Sequence, residues 1–166
     1  MESVINFFRD TAYGNRFSAC VRVLLGALLA YGGFFKLLDI ESFGGVIRMY
    51  DMLPEAFAPH AAIVLPPLEV LLGIMLVVGY KTRAASLLSM ILMGVFAVAI
   101  AVNAARGASF DCGCLELGRF GISENISMTL AARNIVLILA FLLVFNLRKN
   151  VLSIDARIER GTLRDI

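Results

Sequence analysis

Residues 84–102 read Ala-Ala-Ser-Leu-Leu-Ser-Met-Ile-Leu-Met-Gly-Val-Phe-Ala-Val-Ala-Ile-Ala-Val, without a charged residue. A helix needs about 20 predominantly apolar residues, each rising about 1.5 Å, to cross the hydrocarbon core of a bilayer. This stretch therefore decides the fold class, which is an all-α integral membrane protein. The rest of the chain agrees. It has 166 residues, of which 60% are hydrophobic and 17% charged. Soluble domains carry about 45–50% apolar and about 25% charged residues. With a mean hydropathy of +0.85, the chain lacks the polar surface needed to cover itself in water. A net charge of +2 is too small to indicate a nucleic-acid partner.

Working outward from 84–102, three more apolar segments stand out at about 17–38, 57–79 and 130–147. Together they predict a four-helix membrane bundle forming one domain over 1–166. Arg16 and Arg22 flank the start of the first span. Lys36 lies near its far end, where a long side chain can snorkel to the headgroups. Gly26, Gly32 and Gly33 let helices approach closely, including those of a second copy of the chain. The 57–79 segment contains Pro66, Pro67 and Glu69 and reads as one span kinked at the prolines. Between the first two spans, Phe43, Val46, Ile47, Tyr50 and Leu53 recur at helical spacing. They predict a short amphipathic helix on the surface, ended by Pro54. Residues 1–15 read as an interfacial arm rather than a cleaved signal peptide, and 148–166 as a basic amphipathic tail.

The connection 103–129 carries Phe110-Asp111-Cys112-Gly113-Cys114. A loop this long inside a compact domain is usually functional or disordered. Cys112 and Cys114 close on each other only through a small ring, where the near-perpendicular dihedral of a disulfide is hard to reach. Gly113 eases that closure. A strained disulfide is readily reduced, which suits a redox element better than a staple. The odd count of three cysteines fits one working pair and one bystander, Cys20, read as a small buried hydrophobe. A metal site is the weaker reading. Cys₄ or Cys₂His₂ ligation needs two more soft ligands, and His60 is the only histidine. Two thiolates holding a soft copper(I) ion, and an incidental pair of cysteines, remain as alternatives.

Topology follows from the basic residues, which concentrate on the cytoplasmic side. One side collects Arg9, Arg16, Arg22, Lys81, Arg83, Arg148, Lys149, Arg157, Arg160 and Arg164. The other has Lys36, Arg48, Arg106, Arg119 and Arg133. Both termini are then cytoplasmic, and the thiols face the oxidising outer compartment, where a disulfide persists. Glu69 is a carboxylate inside a span, and such groups are functional by default. Lys36 is its expected partner. The functional reading is a proton acceptor or an anchor for a quinone headgroup; the competing one is an ion pair that packs helices. Arg133 reads as a helix-end anchor.

These residues resemble the methylamine-utilisation MauE branch of the DoxX-like membrane proteins, from about Arg22 to Leu147. The resemblance rests on Gly33-Phe34-Phe35-Lys36-Leu37, Tyr50-Asp51-Met52-Leu53-Pro54 and Leu65-Pro66-Pro67-Leu68-Glu69 with Gly73. It continues in Asp111-Cys112-Gly113-Cys114 and Arg133-Asn134, the Cys-Gly-Cys placement being the most specific feature. It implies a four-helix bundle in a bacterial inner membrane. It also implies thiol–disulfide exchange with a thioredoxin-like periplasmic partner, with electrons passing to a membrane quinone or another acceptor. Cys112 and Cys114 would be the catalytic residues, with Lys36, Glu69 and Arg133 in support. A non-enzymatic maturation subunit and a persulfide relay are the alternative functions.

Overall fold

The computed structural model describes residues 12–108 and 128–146. Within them the chain forms five helices and no strand: α1 (Ala12–Leu38), α2 (Ile40–Met49), α3 (Ala58–Val78), α4 (Thr82–Ala105) and α5 (Met128–Asn146). Three are long and apolar enough to cross a membrane: α1 from Ser18, α3 and α4. The apolar part of α5, Ala132–Asn146, is shorter.

Polarity runs inside out. Arg22, Lys36, Glu69, Ser86, Ser89 and Asn134 are buried, while Leu24, Phe34, Ile63, Leu71, Ile91, Val95 and Val136 are exposed. In water this arrangement would leave apolar surface hydrated and desolvate charge. In a bilayer it is the economical one, because lipid solvates the leucines and the interior pairs the charges of Lys36 and Glu69.

The helices assemble as two antiparallel pairs, α1 on α3 and α4 on α5, which make the most extensive contacts. The α1–α3 seam is set by glycine. A Cβ added at Gly26 would meet Gly73 O at 2.7 Å, and one added at Gly33 would meet Glu69 Cβ at 2.7 Å and Pro66 O at 2.8 Å. Glycines expected to permit contact with a second copy are thus used within the chain. Large side chains fill the remaining core: Leu25, Leu29, Leu72, Leu76, Leu92, Met93, Phe141 and Val144.

Several expected boundaries move. The first helix starts by Ala12, before the expected residue 17, since no proline interrupts that approach. Arg22 is buried inside the assembly, not a flanking charge. Cys20 is exposed, because it falls between the buried positions Ala19 and Arg22 on the outward side of α1. The amphipathic helix begins at Ile40, where Asp39 caps it by accepting from Ser42 N at 3.0 Å. It ends at Met49, before Pro54, because Asp51 turns left-handed (φ 47°) and leaves Leu53 exposed. Its apolar side does not lie on a membrane surface: Phe43 and Ile47 pack with Ala58 and Ala62 of α3.

α3 runs through Pro66 and Pro67 as one helix and ends at Gly79, whose φ of 79° makes the left-handed cap. With Lys81 also left-handed (φ 43°), three residues turn the chain into α4. α4 exceeds the expected 84–102 at both ends. Residues 1–11, 109–127 and 147–166 lie outside the described residues. The readings of an amino-terminal arm, a Cys112/Cys114 site and a basic tail fall largely or wholly there.

Candidate functional site

α1 supplies Lys36 and α3 supplies Glu69. Side chains on a helix tilt toward its N-terminus. Lys36, in the last turn of α1, is therefore aimed back into the assembly instead of outward. Gly33, one turn earlier, lets α3 approach so closely that Glu69 sits against α1. Lys36 Nζ donates to both carboxylate oxygens of Glu69, each at 2.8 Å. Both side chains are 1% exposed. The expected partnership is present, whereas the expected snorkelling of Lys36 is not. The carboxylate outcompetes the headgroups because it is nearer along the direction the helix imposes.

Two aromatic rings complete the surroundings. The Lys36 ammonium lies 5.2 Å from the centroid of Phe43 on α2 and 5.0 Å from that of Phe96 on α4. Both are within the roughly 6 Å over which a ring face attracts a cation. α2 thus acts as a cover, with its apolar side on α3 and one ring over the ion pair. Its far end is tied to α4 by Asn103, whose Nδ2 donates to Tyr50 O at 3.0 Å and to Ala99 O at 3.1 Å.

A carboxylate and an ammonium together carry no net charge, so the pair can be held away from water. Taking either charge alone into such a place costs several kcal/mol. Glu69 also borders a cavity of about 20 Å³, shared with Leu25, Leu29, Gly32, Met93 and Leu137. The site is a buried, charge-neutral pair with an aromatic cover on one side and a small space on the other.

Of the expected site residues, Lys36 and Glu69 come together. Arg133 is partly buried in the second turn of α5, beside the buried Asn134. Cys112 and Cys114 lie outside the described residues. Phe43, Phe96 and Asn103 were not singled out from the sequence as site residues. Only Asn103 left a signal there, as an amide at the end of an apolar run.

The comparisons bear on the chain as a whole. A family model described as "Methylamine utilisation protein MauE" matches residues 14–147. The methylamine utilization protein MauE of Paracoccus denitrificans is 36% identical over 118 residues, 70% of this chain and 62% of that protein. Its counterpart in Paracoccus versutus is 39% identical over 118 residues, with the same coverage. That of Methylorubrum extorquens is 40% identical over 121 residues, 72% of this chain and 63% of that protein. The chain therefore spans less than two thirds of the length of these relatives. No solved structure matches it significantly.

Proposed function

Because the chain belongs to the methylamine utilisation MauE family, we propose that it is a membrane thiol–disulfide oxidoreductase whose working groups are Cys112 and Cys114. The observation that carries this reading is the extent of the family match. It runs through residues 14–147 and so includes Asp111-Cys112-Gly113-Cys114. The segment bearing the thiols joins the end of α4 to the start of α5, the end of the assembly that α2 covers. In this reading α5 is a fourth span, since its 19 residues rise about 28 Å at about 1.5 Å each. The bundle is DoxX-like and sits in a bacterial plasma membrane. Its termini are cytoplasmic and its thiols face the oxidising side.

The partner is a thioredoxin-like protein carrying two thiols. One partner thiolate attacks a sulfur of the Cys112–Cys114 disulfide, forming a mixed disulfide and releasing the other sulfur as a thiolate. The partner's second thiol then attacks the mixed disulfide. The partner leaves oxidised, and Cys112 and Cys114 are left as two thiols. The two electrons and two protons released as Cys112 and Cys114 re-form the disulfide would go to an acceptor in the membrane, a quinone being one candidate. Lys36 and Glu69 hold α1 and α3 together, and Arg133 anchors the entry to α5.

Trapping tests the reading. With Cys112→Ser or Cys114→Ser in cells, the remaining cysteine is expected to retain a thioredoxin-fold protein through a disulfide that reductant releases. Recovery of no disulfide-linked partner from either variant would overturn it.

A further inference from the structure

The connection from α2 to α3 turns apolar side chains outward. Met49, Met52, Leu53 and Phe57 are all exposed, although Phe43 and Ile47 of the preceding helix pack against α3. The backbone of this connection is held by its own hydrogen bonds. Asp51 N donates to Arg48 O at 3.0 Å, and Phe57 N to Pro54 O at 2.8 Å. Ala61 N donates to Phe57 O at 3.0 Å, so Phe57 already joins the helical ladder of α3. Local bonds thus fix four large apolar groups in the open, and a cluster of this kind marks a surface that meets a partner.

Helical register indicates which partner. Phe57, Val64, Leu71 and Val78 recur every seven residues, and a stripe at that spacing drifts only about 20° per repeat around a helix. Val64, Leu71 and Val78 belong to a segment long and apolar enough to cross a membrane, and all three are exposed. Phe57, at 61% exposed, is as open as Val64 at 60%. It therefore carries the lipid-facing side of α3 past the first residue of that helix. Depth agrees with register. The 21 residues of α3 rise about 32 Å, against a hydrocarbon core of about 30 Å. The start of α3, and Phe57 with it, falls where hydrocarbon gives way to headgroups. Glu41, Ser42 and Arg48 of α2 are exposed as well and suit the polar side of that boundary.

We propose that Met52, Leu53 and Phe57 form an interfacial anchor, inserted into the headgroup–acyl boundary of the leaflet at this end of the assembly. The surface contact that periodicity assigns to α2 is thereby made by the connection after it. The exposed charges of the connection are Asp51 and Glu55, with Arg48 just before them. They are net acidic, so anionic headgroups supply no attraction, and burial of the apolar groups holds the anchor. The anchor also sets the depth of the bundle. Glu69 lies about 17 Å further along α3 than Ala58, which puts the Lys36–Glu69 pair near the middle of the bilayer. A soluble protein gripping the same residues would need them clear of lipid, which the register of Phe57 opposes.

The chain has no tryptophan, so a single introduced one reports its own surroundings. The test uses Phe57→Trp and, separately, Leu53→Trp in the full chain reconstituted in zwitterionic bilayers, with Leu71→Trp as the deep reference. All three positions are exposed and accommodate the larger ring. Lipids carrying a nitroxide at the headgroup are expected to quench Phe57→Trp and Leu53→Trp about twofold more strongly than lipids carrying it at the end of the acyl chain. Leu71→Trp is expected to show the reverse order. Adding anionic lipid is expected to leave the quenching unchanged. Emission that acrylamide quenches as readily as free tryptophan, with neither labelled lipid effective, would overturn the proposal and point to a soluble protein as the occupant. Quenching that appears only with anionic lipid would overturn it too. Cys112 and Cys114 take no part in the readout, so its failure would be distinct from a failure of thiol exchange.

Discussion

The α1–α3 seam is made where side chains are missing, and the α4–α5 seam where they are large. At the first, Gly26, Gly33 and Gly73 bring two backbones together, with Gly73 nearest: a Cβ there would meet Ala30 N and Gly26 O at 2.6 Å. At the second, Phe141 and Val144 pack with Leu92 and Met93, while Gly94 of α4 has nothing within 4 Å of where its Cβ would stand. Lipid tails are as apolar as leucine, so hydrophobic burial gives α1 and α3 little reason to associate in a membrane. Close van der Waals contact and a desolvated ion pair supply that reason instead. The tight seam carries the charges because only at such proximity does a carboxylate on one helix meet an ammonium on the other without water between them.

The comparison breaks most sharply at the ion pair. Glu69→Leu or Lys36→Met leaves one charge buried alone, and each is expected to lower stability by about 3–5 kcal/mol. The double replacement, which removes both charges, is expected to recover most of that loss. Thermal melting of the purified protein in detergent measures both, and a loss in the double variant equal to the sum of the two single losses would show that the charges act separately. Next in size is Gly73→Ala. Its methyl group meets backbone atoms that cannot turn aside, so overpacking of about 1–3 kcal/mol is expected in the same assay.

Smaller effects sharpen the comparison. Asn103→Leu removes the bond from α4 to Tyr50 O, at an expected cost of about 1 kcal/mol. It should also raise amide exchange at the end of α2. Gly94→Ala is the control, expected to stay within about 0.5 kcal/mol of the native protein. If Gly94→Ala were as damaging as Gly73→Ala, the contrast between the seams would be void.

Much of this fold is legible in the sequence because apolar length is a local signal. Residues 84–102 and 57–79 announce helices without knowledge of their neighbours. The Lys36–Glu69 pairing is legible for a related reason: two opposite charges within apolar spans have few places to go. What resists reading is contact between distant segments. Nothing local marks Phe43 and Phe96 as the rings around one ammonium, since each is ordinary for its helix. Arg22 reads as a flanking charge because nothing local shows that its side of α1 faces the interior, where it is buried. Ser86 and Ser89 look like interruptions in an apolar run until the packing shows that both point inward.

The central claim is that Cys112 and Cys114 form one reversible redox couple. The most direct measurement is a redox titration of the membrane-reconstituted chain, counting alkylatable thiols at those two positions across a series of thiol–disulfide buffers with a chelator present. The account expects both thiols to appear together in a single two-electron transition. Two thiols that stay free at every potential, or that become reactive only when the chelator is added, would contradict it.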